Sequence, residues 1–158
     1  MSIQLEAPPR GDWLRLWSAL PPRQPRELAA ELAQPYQVDD LELPQSGLGL
    51  LSLTDSALGD TYFIGETPLA TAHVRLRHQS DCTEGAATLV DDRAGLARAL
   101  AILDAVLAAG WPGHEQALAL LVEGATIIEA QNQARRALLV ATRVDFALLG
   151  TAEDDDEH

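Results

Sequence analysis

The sequence predicts an α+β domain of two layers, a mostly antiparallel meander sheet covered by short N-terminal helices and long C-terminal helices. Three observations carry this expectation. Apolar residues recur at helical spacing at both ends of the chain, the middle breaks into short apolar runs cut by Pro, Gly, Asp and Ser, and helices and strands never alternate in the βαβ manner. At 158 residues, 47% hydrophobic and 22% charged, the chain suits one globular core. The expected organisation is a single domain over residues 1–150 and a disordered acidic tail over 151–158, where EDDDEH is a run of like charge.

Each element follows from local chemistry. Asp12 is placed to cap a short helix holding Trp13, Leu14, Leu16, Trp17 and Leu20, which Pro21-Pro22 stops. Pro25 opens a second helix to about Ala33, with Leu28, Ala29 and Leu32 at helical spacing. Strands are expected at 36–43, 48–54, 61–65, 69–77 and 85–90, with a hairpin loop at 55–60 and a corner at Glu66-Thr67-Pro68. In the fourth strand Ala70, Ala72, Val74 and Leu76 form a core face, and Thr71, His73, Arg75 and Arg77 a polar one. Leu96, Leu100, Leu103 and Leu107 then form the stripe of a helix closed by Gly110. A short helix is expected over 115–121, and Thr126 and Glu129 match a capping box that opens a long helix to about Leu149.

Charge excludes more than pattern does. The net charge is −13, and all 11 basic residues are arginine. Nucleic acid and anionic membranes are therefore poor partners, and without lysine there is no P-loop, Schiff base or lysine general base. Residues 1–10 lack the apolar block of an export signal, no stretch reaches the roughly 20 apolar residues of a membrane span, and Cys82 is single. A cytoplasmic location is expected.

Tests for catalytic motifs fail in turn. His114-Glu115 begins a zinc-protease helix, but Leu118 stands where the second histidine belongs. His73 and His78 would point to opposite strand faces, so no metal site is expected. Gly47-Leu48-Gly49 lacks the third glycine of a dinucleotide site, and Gly-x-Ser-x-Gly does not occur. Two features survive. The stripe of His73, Arg75 and Arg77, with Thr71, could face an anion, or could be an ordinary solvated sheet face. Asp145 falls on the apolar side of the last helix with Leu138 and Leu149 while Arg143 faces away, so it is expected buried and hydrogen-bonded, as a core carboxylate or a site residue. Asp104, at the edge of its stripe, is expected solvated. Trp13 and Trp17, four apart on one helical face, predict either an exposed apolar interface patch or indoles packed on the domain's own sheet.

Several short segments, in order, resemble one family. They are Gln24-Pro25-Arg26-Glu27-Leu28-Ala29-Ala30, Gly47-Leu48, Phe63-Ile64-Gly65-Glu66, Val74-Arg75-Leu76, Leu103-Asp104-Ala105 and Thr142-Arg143-Val144-Asp145-Phe146. The chain is similar to PhnG, the G subunit of the bacterial carbon-phosphorus lyase core complex. The resemblance marks Gly65, Glu66, Asp104, Arg143, Asp145 and Phe146 as structural or interface candidates. It implies an accessory, cytoplasmic subunit that works with homologues of the H, I and J subunits, chiefly the I subunit. Their assembly is a transferase that makes ribose 1-phosphonate 5-triphosphate from ATP and an alkylphosphonate, releasing adenine. ATP is then a substrate of the assembly, with no cofactor bound by this chain alone and no catalysis by the chain alone. Two departures mark a divergent member: Ala70-Thr71 replaces the family's Thr-Arg pair, and Asp91-Asp92-Arg93 its Gly-Arg-Asp. The alternative is a free-standing binding or scaffold module that kept the fold and lost the complex. An independent enzyme has only unassigned carboxylates in its favour.

Overall fold

The computed structural model describes residues 7–141. Within them, helices α1 (Arg10–Ser18) and α2 (Arg23–Leu32) precede strands β1 (Gln37–Thr54), β2 (Thr61–His78) and β3 (Asp81–Leu89), and helices α3 (Ala94–Ala109) and α4 (His114–Ala141) follow. The strands form one antiparallel sheet in the order β1-β2-β3. Helices pack on the face made by Ala70, Ala72, Val74 and Leu76 of β2 and Ala87 and Leu89 of β3, all buried. This is the expected two-layer α+β domain.

Helix starts differ from expectation in instructive ways. Pro9, with ψ of 138°, precedes α1, and Asp12 sits in the first turn as an acidic group at the positive end of the helix, not as its cap. Pro22 precedes α2, which places Pro25 third in the helix, where its missing N–H has no intrahelical partner to lose. Pro25, Ala29 and Leu32 form the buried stripe of α2. α3 ends as a full Schellman turn, in which the amide of Gly110 donates to Leu107 and that of Trp111 to Val106.

Five expected strands become three. Residues 36–43 and 48–54 fuse into β1, and 61–65 and 69–77 into β2, because bulges absorb the breakers. The register shifts between Glu42 and Gln45, around Pro44, and again between Leu51 and Ser52, where Ile64 is the extra residue. Glu66-Thr67-Pro68 is therefore strand, not a corner. Pro68 is tolerated because β3 pairs only with Ala70 to His78 of β2, leaving Pro68 a neighbour on one side alone. The 55–60 loop is present, closed by the Asp55 amide donating to the Asp60 carbonyl at 2.8 Å.

The capping box is also overturned. α4 runs unbroken through Thr126, whose hydroxyl donates to the Val122 carbonyl at 3.0 Å, the back-bond of a helix interior. Gly124 stays inside the helix for a packing reason: a Cβ there would stand 2.1 Å from the Leu16 carbonyl oxygen of α1. Gly85 plays the same part in β3, where a Cβ would stand 2.1 Å from the Ala101 oxygen of α3. α3 thus lies against the sheet on one side and the other helices elsewhere, and is buried nearly all round from Leu96 to Leu107.

Propensity and packing then oppose each other at two glycines. Gly95 in α3 has open space around it, so Gly95→Ala should stabilise by up to about 1 kcal/mol. Gly124→Ala, a helix gain by propensity, should instead destabilise by about 1–3 kcal/mol because α1 must move away. Urea denaturation of both variants checks the opposite signs; equal stabilisation would show that α1 does not pack so closely.

Candidate functional site

The polar face of the sheet gathers the expected cationic stripe and neutralises it. His73 and Arg75 of β2 both reach Glu84 of β3, at 3.2 Å and by a two-nitrogen contact on one carboxylate oxygen. Arg75, with His73 beside it, holds the Glu84 carboxyl below its ordinary range. Arg77 lies 3.0 Å from Asp39 of β1, a charge contact without a directed hydrogen bond. Thr71 completes the row. A phosphate could meet these cations only by competing with Glu84 and Asp39, so the arrangement is that of a cross-strand ion ladder.

Asp104 is not solvated. It is 5% exposed on α3, accepts two hydrogen bonds from Arg10 at 2.9 and 2.7 Å, and accepts a third from the Ala86 amide at 3.2 Å. One carboxylate therefore joins α3 to β3 and to the first turn of α1. A charge this deep persists only when its oxygens are so satisfied.

Trp13 and Trp17 do not form an exposed patch. They are 7% and 0% exposed, edge to face at 6.0 Å, with indole N–H groups donating to the Pro8 and Ala117 carbonyls. Trp17 is tied to α4 by its bond to Ala117, and both indoles belong to the single core that the helices share with the inner face of the sheet. Arg143, Asp145 and Phe146 lie outside the described residues, as does the acidic tail.

Gly65 and Glu66 fall in a feature that sequence reasoning missed. Beyond the end of β3, residues 47–54 of β1 and 61–69 of β2 continue as a two-stranded ribbon. Gly65, at φ +146°, sits at its bulge opposite Leu51, and Glu66 opposite Leu50. Paired register puts Leu48, Leu50 and Phe63 on the face that continues from the core, exposed by 67, 64 and 63%. Leu51, Leu53 and Tyr62 occupy the opposite face and are also exposed, as are Ile64 and, at the loop, Leu58. The signal was present in Leu50-Leu51 and Tyr62-Phe63-Ile64, apolar neighbours that no single buried face can accommodate.

At the departure from the family pattern, Asp91 accepts from the Arg93 amide at 2.8 Å and pairs with its guanidinium just before α3. That pairing occupies the charge that lines a cleft with Arg15, Thr88 and Leu96. Among the described residues, no group of three or more His, Cys, Asp or Glu stands as a metal site, and no single helix is long and apolar enough to cross a membrane.

Two measurements follow from these pairs. In a double-mutant cycle, Asp104→Ala should lose about 1–3 kcal/mol and couple to Arg10→Ala by about 1–2 kcal/mol; additivity would remove the pair from the account. The Arg93 guanidinium and amide lower the Asp91 carboxyl to about 2 from 3.8. Because the folded value is the lower one, this stabilisation is present above the unfolded value and is lost as pH falls toward 2. An NMR pH titration should show that midpoint, returned toward the ordinary range in Arg93→Gln.

No curated protein matches the chain. A family model described as "Phosphonate metabolism protein PhnG" matches residues 8–150, which is nearly the whole chain and covers both the Asp104 junction and the ribbon. This chain therefore belongs to the PhnG family, and its role lies in phosphonate metabolism.

Proposed function

We propose that the chain is a cytoplasmic accessory subunit of a phosphonate-degrading assembly. That assembly makes ribose 1-phosphonate 5-triphosphate from ATP and an alkylphosphonate and releases adenine. Its partners are homologues of the H, I and J subunits, chiefly the I subunit. Family membership gives the metabolic context, and the observation that carries the subunit role is the ribbon, whose apolar side chains on both faces remain in water. A two-stranded ribbon is marginal alone and gains stability when a partner covers it.

The chemistry of the reaction supports the same division of labour. Displacement at the ribose C1′ passes through an oxocarbenium-like state and needs cations placed on a triphosphate and a phosphonate. Here Arg10, Arg23, Arg75, Arg77, Arg93 and Arg98 are each engaged by a carboxylate of the same chain. They serve the fold more readily than a substrate.

Co-expression with the I-subunit homologue should give a complex that co-elutes, and adenine release from ATP and methylphosphonate should need the complete assembly. Adenine release by this chain alone, abolished by one substitution in it, would refute the proposal. A small-molecule ligand bound by the chain, with no complex formed, would favour the free-standing module.

A further inference from the structure

We infer that the ribbon of residues 47–69 is the docking arm of this chain, and that its occupant is a different protein whose apolar groove clasps both faces and carries cationic groups around its mouth. The inference rests on the accessory-subunit reading and deepens it.

The argument is one of shape and sign. Leu48, Leu50 and Phe63 on one face and Leu51, Leu53 and Tyr62 on the other give the arm two apolar sides, where a strand covering a domain's own core needs one. At about 3.3 Å per residue, eight paired positions extend roughly 25 Å beyond the third strand. A groove, with walls on both sides, fits that arm; a flat surface would cover one face and leave the other wet. Aromatic anchors such as Phe63 and Tyr62 suit the centre of such an interface.

Charge selects the occupant. No arginine lies between Arg26 and Arg75 and no histidine lies within 47–69, whereas Glu42, Asp55, Asp60 and Glu66 flank or occupy the arm and its loop. A second copy of this chain, at net charge −13, would bring like charge against like, and so would an anionic bilayer. The chain's own run at 153–158 has the same sign. A partner groove with arginine or lysine at its rim is complementary, and would steer the acidic loop into place.

The test uses the full chain co-purified with the H, I and J subunit homologues. Variants are Leu50→Ser with Phe63→Ser, Leu51→Ser with Tyr62→Ser, and the charge reversal Asp60→Lys. Each apolar pair should weaken association by roughly 30-fold or more while melting stays within a few degrees of the parent, since these side chains add little to the body's core. Asp60→Lys removes no apolar contact and should weaken association at low salt, with the effect fading at high salt. Unaltered affinity in all three variants overturns the arm and leaves the accessory-subunit reading standing. Failure of the unaltered chain to form any complex overturns both. Self-association, or sedimentation with mixed phosphatidylcholine and phosphatidylglycerol vesicles, that is lost in the apolar variants would replace the proposed partner and overturn the inference.

Discussion

The burial of α3 is the constraint on which the remaining structure depends. A helix enclosed nearly all round must be met closely on every side, and the residues that allow this are small or paired. Gly85 lets β3 approach the α3 backbone, and the alanines along α3 leave room for α2, α4 and the sheet. Asp104, the one buried charge among the described residues, is satisfied by Arg10 and the Ala86 amide. Its pairing fixes where α1 starts relative to the sheet, and α1 then carries Trp17 to the Ala117 carbonyl of α4. Gly124 allows α4 to meet α1 at that distance. A single buried carboxylate and two glycines thus set the relative placement of helices and sheet.

A body built this way consumes its polar groups internally. The outer face of the sheet is a ladder of paired polar groups, with Arg75 and the His73 ring on Glu84 and Arg77 near Asp39, and Arg98 of α3 reaches Asp40 of β1. Such pairs add little stability each when exposed, but they commit six arginines to carboxylates of the same chain, where a phosphate-rich substrate would have to compete for them. The apolar groups of the ribbon are in the opposite condition, with no cover among the described residues. Paired charges on the sheet and uncovered apolar side chains on the ribbon are what support the proposed docking role.

Much of the fold was legible because hydrophobic period marks elements directly. The alternation at 69–77 identified the core face of β2, and Leu96 to Leu107 identified α3. What failed was local punctuation whose meaning depends on distant contacts. Pro44 and Glu66-Thr67-Pro68 read as breaks, yet bulges and a missing third strand carry the ladder through them. Thr126 and Glu129 have capping-box spacing, but the backbone before them is already helical. Asp104 looked solvated because its partner, Arg10, is 94 residues away. Trp13 and Trp17 were visible as a pair, whereas the partner that Trp17 finds, the Ala117 carbonyl of α4, is 100 residues away and cannot be specified by spacing alone. The arm escaped notice because periodic reasoning assigns each strand one apolar face, and here both faces are apolar.

On this reading the body folds on its own contacts and the arm finishes its burial on a partner. Hydrogen–deuterium exchange on the chain alone and within the co-purified assembly tests it most directly, because amides report local opening segment by segment. Exchange should be slow in α3 in both states, and fast in residues 47–69 of the free chain but strongly slowed there in the assembly. Unchanged exchange in the arm, with new protection falling instead on the polar face around Arg75 and Glu84, would contradict it.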